Sequence, residues 1–151
     1  MLRSELNNAL KSAMKTRNKS AVGTIRLILA SIKDQDISAR TDGKSDGISD
    51  DQVLALFNTM IKQRRESIRL YEQGGRLELA QREQAEIDVI QRFMPSQLEG
   101  EAFQAAIQDA ILEVDAKTIK DMGKTMALLK QKYPGQMDFS KASGVVREKL
   151  V

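Results

Sequence analysis

The sequence predicts an all-α protein, and three features carry that prediction. Apolar residues recur three and four positions apart along nearly the whole chain. No window shows the sustained apolar–polar alternation that a half-buried strand requires. Glycine and proline number only 9 and 2 among 151 residues, so few positions force a helix to stop. The expected arrangement is an N-terminal helical domain, residues 1–94, built around a long helical hairpin. A small C-terminal three-helix domain, residues 95–151, follows it.

Leu2, Leu6, Leu10, Ala13 and Met14 mark the first helix. Ser20 is placed to cap a second, whose apolar face is Val22, Ile25, Leu29 and Ile32. The polar, glycine-containing stretch ARTDGKSDG, residues 39–47, reads as a loop. Ser49 with Gln52 then forms a capping box, because each side chain can satisfy the other's backbone N–H. The third helix carries Val53, Phe57, Met60, Ile61, Ile68 and Tyr71 until Gly74 and Gly75 break it. The fourth carries Leu79, Ile87, Ile90 and Met94 and should stop at Pro95. Beyond it, Phe103, Ile107, Ile111 and Val114 mark one helix. A box of Thr118 with Asp121 opens a helix carrying Ile119, Met122, Met126, Leu129 and Tyr133, ended by Pro134 and Gly135. Asp138 caps the last, with Val145, Val146 and Leu150.

Composition narrows the chemistry. There is no cysteine and no histidine. That removes disulfides, thiolate metal sites, a Cys nucleophile, and the usual general base near neutral pH. No metal or other cofactor is expected. Two carboxylates at i, i+3, Glu83 and Glu86, could hold Mg²⁺, but no further ligands converge on them. The acidic run Asp42, Asp46, Asp50 and Asp51 lacks the spacing of a calcium loop. No apolar run reaches the ~18 residues of a membrane span, so no membrane partner is expected. The amphipathic, basic N-terminus has some likeness to a transit peptide. Glu5 and the absence of a break before the next helix favour a structural helix in a cytoplasmic protein.

KDMGKTM, residues 120–126, contains the Gly-Lys-Thr that ends a phosphate-binding loop. The full pattern needs a glycine at position 118, which is Thr118. Gly123 also falls within the first turns of a helix, where its amide serves the helix. Close approach of another backbone or a partner is the reason expected for a glycine there. Nucleotide binding is not expected.

Charge is uneven. Residues 1–40 hold eight Lys/Arg against three Asp/Glu, within a chain of net charge +3. Lys11 and Lys15 share the polar face of the first helix. Arg17, Lys19, Arg26 and Lys33 lie near or on the second. Lys62, Arg65 and Arg69 form a stripe on the third, and Lys117, Lys120 and Lys124 lie at the start of the sixth. These are candidate contacts for an RNA backbone, since phosphates dominate such affinity. Arg64 instead shares the apolar stripe of the third helix. In a hairpin turning at Gly74 and Gly75 it should pair with Glu83, or with Glu86 one turn further on, because an unpaired buried charge is costly.

The segments AMKTRN, TIRLILASIKDQDI, IKQRRESIRLYEQGGRLELAQREQAEI, FMPSQL and DMGKTMALLK, in this order, resemble the YqeY family of GatB/YqeY-domain proteins. Near the end, Gly135 and Asp138 fit that family's G-x-x-D setting. The resemblance covers essentially the whole chain and implies an all-α fold. It also implies similarity to the tail of the B subunit of glutamine-dependent tRNA amidotransferase, a region that contacts tRNA. By association it suggests carbon–nitrogen ligase activity with glutamine as amide donor. The residues here lack independent catalytic groups, so the expectation is an accessory module that binds tRNA or another structured RNA. An amide-transfer enzyme using carboxylate or lysine chemistry, and a protein-interaction module with a protein partner, are the alternatives.

Overall fold

The structure, a computed structural model, describes residues 1–43 and 46–151. Among them the chain forms seven α-helices, one 3₁₀ turn and no strand. It divides into two compact units, Met1–Met94 and Pro95–Val151.

The first unit holds α1 (Leu2–Lys15), α2 (Lys19–Thr41), α3 (Asp50–Gln73) and α4 (Leu77–Gln91). α1 packs on α2, α3 on α4, and α2 on α4. Its core is aliphatic around one aromatic ring: Leu6, Ile28, Val53, Phe57 and Ile90 are fully buried. The Ser49–Gln52 capping box is present at the start of α3. α2 is capped by Asn18 rather than Ser20; the Asn18 side chain accepts the Ala21 N–H at 3.1 Å. The reason lies one residue earlier. Arg17 turns the chain through the left-handed region, at φ 56, so α2 starts at once and Ser20 is already inside it. α2 also runs to Thr41, three residues into the expected loop. The remainder of that loop includes Lys44 and Ser45, which lie outside the described residues.

The α3–α4 hairpin turns at Gly75, φ +72, where the Arg76 N–H reaches the Tyr71 carbonyl at 2.8 Å. α4 ends at Gln91, before Pro95. Phe93 and Met94 continue as tight turns with i→i−3 hydrogen bonds, and Pro95, four residues after Gln91, has no N–H with which to extend the α-helix. At the opposite end of this unit, Arg3 forms a two-pronged pair with Asp36, at 2.7 and 2.8 Å. The Ile48 N–H adds a third bond to Asp36, at 2.9 Å. Arg3 also donates to the Ile48 carbonyl. One ion pair thus ties α1, α2 and the approach to α3 together.

The second unit holds α5 (Gly100–Glu113), the 3₁₀ turn (Ile119–Asp121), α6 (Met122–Lys132) and α7 (Phe139–Leu150). Ile107, Leu129, Met137, Ala142 and Val146 form its buried centre. Met137 lies in the connection before α7, outside any helical stripe. The Thr118–Asp121 box is present but closes the 3₁₀ turn, and α6 begins only at Met122. That displacement leaves Ile119 half-exposed instead of on the buried stripe. Asp138 caps α7, accepting the Ser140 and Lys141 N–H groups.

Candidate functional site

Gly123 lies in the first turn of α6. A Cβ built on it meets nothing within 4 Å. Among the described residues, then, no backbone approaches this glycine closely enough to explain it. Its amide lies in a helix, not in an open loop.

Arg64 sits in the hairpin, largely buried, and pairs with Glu86 at 2.9 Å. It also donates to the Met60 carbonyl at 3.2 Å. The register decides between the two carboxylates: Arg64 and Glu86 are equidistant in sequence from Gly75, which centres the turn. Glu83 is left half-buried and makes no ion pair among the described residues. Burial, and then the neighbouring Glu86 charge, push its carboxyl above the ordinary range, and Arg64 only partly offsets this. The cluster joins α3 to α4. Among the described residues no group of three or more carboxylates is placed to hold a metal ion.

The eight candidate cations, Lys11, Lys15, Lys62, Arg65, Arg69, Lys117, Lys120 and Lys124, are all exposed. Arg69 is engaged by Glu66 one turn before it on α3. Lys117 pairs with Asp115 at 3.5 Å. Asp121 lies beside the same stripe, held below its ordinary range by the backbone N–H groups of Lys117 and Thr118, with Lys124 and Lys117 adding smaller effects. So the stripes on α3 and at the start of α6 each have acids interleaved. Lys11 and Lys15 have none nearby in sequence: from Leu6 to Lys33 the chain contains no Asp or Glu. α1 and α3 are not among the main packed pairs of helices.

The family described as Yqey-like protein matches residues 3–150. The chain belongs to the YqeY-like family. Among curated relatives, a protein of Eremothecium gossypii named altered inheritance of mitochondria protein 41, mitochondrial, is 36% identical over 89 residues. That match covers 59% of this chain and 46% of the relative. A protein of the same name from Pyrenophora tritici-repentis is 38% identical over 85 residues, 56% of this chain and 44% of the relative. An uncharacterized protein of Schizosaccharomyces pombe is 27% identical over 94 residues, 62% of this chain and 72% of that protein. The matched part of this YqeY-like chain thus spans about half the length of the first of these relatives. Their names overturn the cytoplasmic location expected from the sequence, since the proteins so named are mitochondrial. The physical reason for the miss is plain. Residue packing within a helical domain does not encode its compartment, and α1, read as structural, does bury Leu2, Leu6 and Ala13 in the core. Among the described residues no helix is long and apolar enough to cross a membrane.

Proposed function

We propose that this YqeY-like chain is an RNA-binding accessory module whose partner is tRNA or another structured RNA, serving tRNA-dependent amidation without chemistry of its own. The observation that carries the reading is the set of exposed cations. Of the eight named above, six have no acidic partner among the described residues. Unpaired, solvated Lys and Arg side chains are what a phosphate backbone binds. The sequence likeness to the amidotransferase tail supports the choice of tRNA. The absence of histidine and cysteine supports an accessory role over the amide-transfer enzyme. The setting that the relatives' names support is mitochondrial. Titration of the purified chain with total tRNA across a salt series tests this reading, with ammonia release from glutamine measured alongside. Salt-sensitive tRNA binding without ammonia release is the expected result. Steady ammonia release lost in Glu83→Gln would favour the enzyme.

A second reading, a protein-interaction module, is favoured by one feature of α2. Leu27 and Ile37 are each about half exposed, at 49% and 52%, on the face of α2 that also carries exposed Gly23, Ala30 and Asp34. Such a mixed strip suits a partner that offers apolar surface and a cation.

A further inference from the structure

The turn between α1 and α2 combines three features found together at no other place among the described residues. The first is segregation of charge. Six cations, Lys11, Lys15, Arg17, Lys19, Arg26 and Lys33, fall between Leu6 and Lys33 with no acid among them. The second is geometry. α1 and α2 pack on each other, joined by only three residues and tied at the far end by Arg3 and Asp36. The last turn of α1 and the first turn of α2 therefore meet at one corner. Lys11, Lys15, Arg17 and Lys19 are all exposed there, and none has an ion-pair partner among the described residues. Elsewhere Arg3, Arg64, Arg69, Arg76, Lys117 and Lys132 each have one; Lys62, Arg65, Lys120 and Lys124 are unpaired too, but acids stand among them in sequence, Glu66 on α3 and Asp115 and Asp121 before α6.

The third feature is the backbone of Arg17. Three helices end in the same turn, in which an N–H reaches the carbonyl five residues back: Asn18 to Ala13, Arg76 to Tyr71, and Ala116 to Ile111. Each needs a left-handed residue just before that N–H. Gly75 fills the second position and Asp115 the third, residue types that tolerate this conformation. The first is Arg17, φ 56, a long β-methylene side chain with no local hydrogen bond to favour it. A strained position kept by a solvated arginine points to a role for the guanidinium outside the chain.

We infer that this corner is the surface that takes RNA phosphodiesters, with Lys11, Lys15, Arg17 and Lys19 contacting phosphate oxygens. The inference rests on the RNA reading proposed above and assigns its surface. The neutral neighbours fit the same chemistry: Asn8, Ser12 and Ser20 are exposed and can donate to phosphate and ribose oxygens. A lipid surface fits less well. A membrane-lying helix presents its apolar face outward, whereas α1 commits Leu2, Leu6 and Ala13 to the core.

The test compares the full chain with three variants, by tRNA titration at several salt concentrations. They are Lys11/Lys15/Arg17/Lys19→Gln, Lys62/Arg65/Arg69→Ala and Lys117/Lys120/Lys124→Ala, each checked for native helicity. Loss of four phosphate contacts lowers the slope of log affinity against log salt by about 3. The corner variant should show that drop and at least a tenfold weaker affinity, while the other two stay nearer the wild type. Replacing Lys11, Lys15 and Lys19 by arginine should retain binding. Arg17→Gly should melt at a higher temperature yet bind RNA more weakly, a combination that a purely structural role would not give. If the wild type binds tRNA and the corner variant matches it in affinity and slope, the corner assignment is wrong while the RNA reading stands. If the wild type binds no RNA, both fall. Binding instead to phosphatidylcholine vesicles containing phosphatidylserine, lost in the corner variant, overturns the RNA assignment in favour of a membrane surface.

Discussion

Asp36 accepts two hydrogen bonds from Arg3 and one from the Ile48 N–H. Arg3 first, and then the Ile48 amide, hold its carboxyl down at about 2, from an ordinary 3.8. A lowered native pKa means that the unfolded chain takes up the proton first, so this stabilisation is present above pH 3.8 and lost as pH falls through about 2. Asp36→Asn should cost roughly 2 kcal/mol in denaturant melts at pH 7 and much less at pH 2. Gly47 guards the same pair. A Cβ there would lie 2.5 Å from Asp36 Oδ1, and its φ is +85, so Gly47→Ala should destabilise too. Glu83 has the opposite sign. Its raised pKa means that native Glu83 prefers the proton, and ionisation above the ordinary 4.5 weakens the fold. Glu83→Gln should therefore raise stability at pH 7, with the gain vanishing near pH 4 in the same melts. Little of this was legible in the sequence. Arg64 announced itself by standing on an apolar stripe. Arg3 and Asp36 sit on ordinary helix faces 33 residues apart, and no local pattern marks such a pair.

Helices were the readable level, because apolar periodicity and capping chemistry are local. Their starts and stops were less so where a turn imposed itself. Asn18 outcompetes Ser20 because Arg17 has already reversed the chain. The 3₁₀ turn shifts α6 to Met122. Met137 is buried from a connection, where periodicity carries no information. The glycines separate into two kinds that melting temperatures should distinguish. Gly75 is left-handed, so Gly75→Ala should lower stability by about 1 kcal/mol. Gly123 is helical, with open space where a Cβ would go, so Gly123→Ala should raise stability by up to ~1 kcal/mol. If Gly123→Ala destabilises instead, the helical assignment at residue 123 is wrong.

Across the whole molecule, each unit carries its own buried cluster. Phe57, the one aromatic ring fully buried, anchors the first; Phe57→Ala should cost ~3–5 kcal/mol and is best read in that unit's melting transition. Family membership followed from the order of several segments, none specific alone. The functional surface was only half visible. Lys11 and Lys15 stood out by charge, but seeing that Arg69 and Lys117 already hold an acid, and that Arg17 turns the chain at the end of α1, required the structure. The central claim is that this chain meets RNA through solvated cations, and the most direct test is the salt dependence of tRNA affinity for the wild-type protein. The account predicts a linear fall of log affinity with log salt, losing ~0.7–0.9 in slope for each phosphate-contacting cation removed from the α1–α2 corner. No measurable tRNA binding at low salt, or binding indifferent to salt, would contradict it.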